Sequence, residues 1–244
     1  KLESFSEFED KVPIIDKKSY LSKYRIDQVC KTDVAKNLTM VSSSGSTGDP
    51  LFFMLPREDL ELMPAGVAAF FDYFWDLCDP NKKVLIVFSL ALGMWMGGTT
   101  GIFIYKALCD RYKNMSFVIP GTDAEKVVEV LEKIGGYYDF INIVTYPSFF
   151  KTVLDIGDAR NINWKKHNIT LTTAGEILDN GLSDYFISKM GNGLFRIFDG
   201  YGGTEIGNPG MATPMAMKIK ELSRKNPALS AEIFGNKEYY GSIF

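Results

Sequence analysis

The run Ser42-Ser-Ser-Gly-Ser-Thr-Gly-Asp-Pro50 crowds hydroxyl side chains around two glycines. Glycine reaches positive φ and lets backbone amides converge on an anion, and the hydroxyls of Ser43, Ser44, Ser46 and Thr47 add donors for phosphate oxygens. No Gly-Lys-Ser/Thr follows, so this is not a Walker A loop. Asp49 opposes phosphate unless it points away, and taken alone the run reads more readily as a flexible hairpin loop. A second run, Asp199-Gly-Tyr-Gly-Gly-Thr-Glu205, sets glycines around one aromatic ring. Thr204 and Glu205 join a hydroxyl to a carboxylate, a pair suited to a magnesium–phosphate group because Mg²⁺ takes a few hard oxygen ligands plus phosphate and water. Tyr201 can lie flat on a base, and Asp199 can accept from an exocyclic amine. The plain alternative is a solvated, helix-capping or salt-bridged carboxylate. A third run, Thr172-Thr-Ala-Gly-Glu176, is weaker and reads alone as a strand end followed by a turn.

The composition narrows the chemistry. The chain has 244 residues, 46% of them hydrophobic and 23% charged, which is globular and long enough for a large core. A net charge of −3 offers no basic footprint for nucleic acid. His167 is the single histidine, so chemistry that needs two is excluded within this chain. Cys30, Cys78 and Cys109 are far apart in sequence, which excludes a CxxC metal or redox site and fits a reduced, cytoplasmic setting better than secretion. A serine hydrolase built on Ser44 or Ser46 would have only His167 as base, and no GxSxG elbow is present. Val84 to Tyr105 carries no charge and repeats glycine at 93, 97 and 101, the length and spacing of a membrane helix. The β-branched start at Val84-Leu-Ile-Val-Phe88 and the breaks at Gly93 and Gly97-Gly98 favour strand, loop and helix instead.

Around these runs, apolar segments alternate regularly. Strands are expected at 38–41, 51–55, 84–88, 116–119, 139–145, 169–173 and 194–198. Helices are expected at 57–77, with Pro64 at a kink or break, and at 98–112, 123–134, 147–156 and 182–190. Residues 1–37 read as an N-terminal arm or short helices, and 38–244 as part of one large domain. Strand–helix alternation of this kind gives right-handed crossovers and an α/β fold, with a mostly parallel sheet covered by helices. In such sheets ligands gather beyond the carboxyl ends of the strands. The stretches 42–49, 173–176 and 199–205 each follow an expected strand, which marks them as a candidate site.

In this order and spacing the three runs resemble the adenylate-forming enzymes, and most nearly the phenylacetate–CoA ligase branch. Ser43-Ser-Gly-Ser-Thr-Gly-Asp-Pro50 matches the phosphate loop of that family, Ala174-Gly-Glu176 the segment against adenine, and Asp199-x-Tyr-Gly-x-Thr-Glu205 the aromatic and magnesium motif. The resemblance covers about residues 38–210. It implies the truncated N-terminal domain of a ligase that joins a carboxylic acid to ATP as acyl-adenylate and then to the thiol of coenzyme A. ATP, Mg²⁺ and coenzyme A are the implied cofactors. The ATP site would comprise Ser43, Ser44, Gly45, Ser46, Thr47, Gly48, Ala174, Gly175, Glu176, Asp199, Gly200, Tyr201, Gly202 and Thr204. Thr204 and Glu205 would act in catalysis, with Glu205 on the metal, and Trp95, Tyr146 and Tyr201 would line the acyl pocket. The implied partners are a small carboxylic acid and coenzyme A, without nucleic acid or membrane, and with room for a homodimer.

Two departures qualify this likeness. Leu51 stands where many relatives carry a lysine, and no histidine occurs in the 88–98 stretch. The family's C-terminal domain and its lysine fall after the last matched motif, so these residues alone are expected to be inactive. A nucleotide-binding module or an acyl-protein synthetase-like subunit without its own ligase activity is the competing reading.

Overall fold

In a computed structural model, which describes residues 5–16, 18, 20–30, 33–43, 50–191 and 193–235, the β-branched run after Lys83 forms a strand buried along its whole length, β3 (Val84–Ser89). It lies in a six-stranded sheet with β4 (Met115–Val118), β5 (Phe140–Thr145), β6 (Ile169–Ala174), β7 (Ile197–Gly203) and β8 (Gly207–Ala212). The order is β4-β3-β5-β6-β7-β8. The first five strands are parallel, and β8 runs antiparallel to β7.

Strands buried on both faces need apolar cover on both sides. On one side α3 (Arg57–Trp75) and α4 (Met96–Arg111) pack Phe70, Phe71, Trp75 and Leu108 onto Val84, Ile86 and Phe88. On the other, α5 (Ala124–Lys133), α6 (Pro147–Ala159) and α7 (Asn180–Met190) pack Val127, Leu131, Phe150, Val153 and Phe186 onto Leu85, Val87, Ile141, Ile143 and Leu171. Caps set the helix starts. Asp123 accepts from the Lys126 amide, Asp179 accepts from that of Leu182, and α7 ends at Gly191 with φ 71°. A hairpin of β1 (Thr39–Ser42) and β2 (Phe52–Leu55) builds a satellite core of Val41, Leu55 and Leu60. Short helices α1 (Phe5–Lys11) and α2 (Ile26–Val29) precede it.

Val84–Tyr105 divides as expected into strand, loop and helix, and no helix among the described residues is long and apolar enough to cross a membrane. Three expectations are corrected. Of the kink or break expected at Pro64, the break does not occur: α3 runs on as one helix, because Leu60 anchors the segment before the proline in the satellite core and Val67 to Trp75 anchor the segment after it in the main core. The last parallel strand is 197–203 and not 194–198, so Asp199 to Gly203 lie in a strand and only 204–206 form the turn. Its glycines are poor strand formers, but Gly200 pairs with Met211 and Gly203 with Gly207, and this pairing overrides propensity. That partner strand, with α8 (Pro214–Lys225) and α9 (Pro227–Phe234), has no counterpart among the expected elements.

Candidate functional site

Parallel pairing brings the ends of β3, β5, β6 and β7 to one edge of the sheet. The chain leaves β3 for β4 on one side and returns to β5 on the other, so the switch point lies between β3 and β5. Tyr146, the residue after β5, spans it, and its hydroxyl accepts from the Ala91 amide at 3.2 Å. Gly175 sits on the same ring with φ 84°, and a Cβ there would lie 2.8 Å from a ring carbon, so only glycine brings the turn after β6 this close. Glu176 accepts from the Ser148 amide at 3.1 Å and so caps α6, where a carboxylate also meets the positive end of the helix.

The sheet changes character at this edge. Val87, Ile143, Leu171 and Ile197 form one aliphatic cross-strand row. Two residues on, the next row on the same face is Ser89, Thr145, Thr173 and Asp199, all buried. Thr173 Oγ1 donates to Asp199 Oδ1 at 2.7 Å, while Ser89 Oγ has no partner among the described residues. Burial pushes the Asp199 carboxyl above its ordinary range, and the Thr173 hydrogen bond and the largely buried Lys220 cation of α8 pull the other way. On the opposite face Asn142 donates to the hydroxyls of Thr170 and Thr172 at 3.0 and 3.1 Å.

The residues singled out by sequence are placed as follows. Ser43 is buried; its hydroxyl accepts from the Leu51 amide at 3.0 Å and its own amide donates to the Leu51 carbonyl at 2.9 Å. Ser44, Gly45, Ser46, Thr47 and Gly48, and with them the expectation of a flexible hairpin loop, lie outside the described residues. The hairpin meets the edge through Ser42, whose amide donates to the Met94 carbonyl at 2.8 Å and which bridges to Trp95. Gly175, Glu176 and Tyr146 come together, as do Thr173 and Asp199. Trp95 is 43% exposed and its ring does not stack on that of Tyr146. Tyr201 is half exposed on β7, Glu205 exposed, and Thr204 partly exposed in the turn after it. Of the aromatics around the edge, Phe88 belongs to the core and Phe149 packs against it.

Ser89 and Thr145 escape a reading by pattern, and Thr173 enters it only within the weak 172–176 run. Their signal is small polar residues closing apolar strand runs. No group of three His, Cys, Asp or Glu side chains that could hold a metal occurs among the described residues. The Thr204 hydroxyl and the exposed Glu205 carboxylate suit only an ion shared with phosphates, a donor set that fits Mg²⁺.

No family model matches the chain, and no curated protein matches it. Solved structures do. The open conformation of a 2-hydroxyisobutyryl-CoA ligase, in complex with 2-HIB-AMP and CoA, superposes with a TM-score of 0.64 at 16% identity, over 84% of this chain and 46% of that one. The same ligase in its thioesterification state gives 0.62 at 17% identity, over 81% and 40%. A Brucella canis acyl-CoA synthetase gives 0.50 at 22% identity, over 71% and 29%. The chain thus spans less than half the length of these proteins. At such identities the likeness shows the fold: an α/β unit with a mostly parallel sheet, shared with part of each of these enzymes.

Proposed function

We propose that this fold carries the nucleotide and acyl face of an ATP-dependent acid–CoA ligase. The observation that carries the reading is the convergence, at the switch-point edge of a ligase-like sheet, of Tyr146, Gly175 and Glu176 with β7, which bears Asp199 to Gly203 and leads into the turn of Thr204 and Glu205. A carboxylate oxygen attacks the α-phosphate of ATP and pyrophosphate leaves. The thiol sulfur of coenzyme A then attacks the acyl carbon and AMP leaves. The chain's task in the first step is alignment and charge stabilisation, with no covalent attack of its own. Ser43 to Gly48 hold phosphates, Thr204 the α-phosphate, and Tyr201 and Gly175 the two faces of adenine. Bound Mg²⁺, held by Glu205, would neutralise phosphate charge.

The buried Asp199 fits a role through Thr173 and the strand end better than open solvent contact. The acyl pocket is assigned to Trp95, Tyr146 and Tyr201, with an aryl acid such as phenylacetate as substrate and the cytoplasm as setting. The test is acid-dependent ATP–pyrophosphate exchange on the native gene product, with nucleotide binding by this chain measured across a magnesium titration. Glu205→Gln is expected to abolish the magnesium dependence with little change in melting temperature. Full exchange with a lowered melting temperature would make Glu205 a structural carboxylate and end the metal assignment.

A further inference from the structure

At the opposite, amino edge of the sheet a cleft of about 400 Å³ opens among the entries to β3, β4 and β5. Its volume falls at the lower end of the range of small-molecule sites. Its floor is rigid. The Asn114 side-chain amide donates to the carbonyls of Leu77, Asp79 and Lys82 at 2.9, 2.9 and 3.0 Å, and its backbone carbonyl accepts from Val84. Two lysines line the cleft. Lys83 is held through its backbone, which donates to the Asp139 carboxylate at 2.8 Å, while its ammonium has no hydrogen-bond or ion-pair partner among the described residues. Lys113 donates to a backbone carbonyl, that of Asp110, whose carboxylate is paired with Lys106. Ile134, Tyr138 and Tyr137, the last 76% exposed, also line the cleft.

Two ammonium groups and the exposed Tyr137 ring lining one cleft match a ligand that is flat at one end and anionic at the other. We propose that this cleft is a second ligand site, which takes a single aromatic ring bearing an anionic group, with the ring on Tyr137 and the anion between Lys83 and Lys113. It lies at the other end of the strands from the candidate ligase site and does not depend on that reading.

The test is an amide-resolved NMR titration of the whole chain with phenyl phosphate, inorganic phosphate and phenol. Phenyl phosphate is expected to shift Asn114, Tyr137 and Tyr138 saturably. Loss of either the ring or the charge should weaken binding about tenfold, the equivalent of one charged hydrogen bond. Lys83→Glu and Lys113→Glu, both at exposed positions, should each weaken it by a similar factor, and Tyr137→Ala by about fivefold. Equal affinity for inorganic phosphate, unchanged affinity in both lysine variants, or shifts confined to Gly175 and Tyr201 would each overturn the proposal.

Discussion

The two edges of one sheet treat polar groups in opposite ways. At the carboxyl edge an aliphatic row gives way to buried Ser89, Thr145, Thr173 and Asp199, and one of these hydroxyls is left without a partner. At the amino edge the polar groups are consumed in holding loops, as Asn114 holds three carbonyls, and the charges stand on the surface. The difference follows from parallel pairing. Every loop that follows one of the five parallel strands falls on the carboxyl edge, where chain ends can be shaped around a ligand, and the entries on the other edge need only be fixed. The proposed reaction site lies at the first edge and the proposed second ligand site at the other.

The largest effect that tests this contrast is at Gly98. A Cβ there would meet the Ala91 carbonyl oxygen at 1.9 Å, so Gly98→Ala must displace the backbone of the loop after β3. We expect a loss of about 3 kcal/mol, or a melting temperature lower by about 6–12 °C, with the distortion confined to the carboxyl edge. Calorimetry with amide shifts checks both; an unchanged loop would show that this edge is more plastic than its packing indicates. Asn114→Ala is next, because it removes the side-chain donor shared by three carbonyls at the amino edge, of which that of Asp79 keeps the Lys82 amide. It should cost about 2 kcal/mol by urea denaturation without altering nucleotide binding. An effect on nucleotide binding would couple the two edges.

Thr173→Val sharpens the comparison at Asp199. Removing the donor at 2.7 Å should cost about 1.5 kcal/mol at pH 7. Because burial already raises the Asp199 carboxyl, its contribution to stability is full below the ordinary carboxylate value and is lost as pH rises through its own. The variant raises that value further, so its deficit should be smaller at pH 4 than at pH 7. Urea midpoints at the two pH values measure it, and the reverse trend would break the assignment of a buried carboxylate whose ionisation is opposed by burial. The smallest effect is at Tyr146→Phe, which removes the 3.2 Å contact with Ala91 across the switch point. It should cost about 0.5–1 kcal/mol, and any larger loss would mean the hydroxyl positions the whole loop after β3.

Much of the strand–helix alternation was legible in the sequence, since β-branched runs such as Val84–Phe88 and amphipathic stretches such as Ala124–Lys133 encode local preference and burial together. The turn at Gly175 was likewise readable, because it depends on one residue's own backbone, whereas the Asp123 and Asp179 caps were not read from the sequence. What the chain by itself determined is therefore the α/β class, the elements with strong periodicity and the runs suited to anions. Only the tertiary structure decided the rest. The glycine-rich 199–203 segment becomes a strand because 207–212 pairs with it, α3 stays continuous across Pro64 because both of its halves are packed, and Ser89, Thr145, Thr173 and Asp199 become one buried row because register aligns strand ends far apart in sequence. Each of these turns on a long-range pairing, whose stabilisation exceeds the local preferences that a pattern can report.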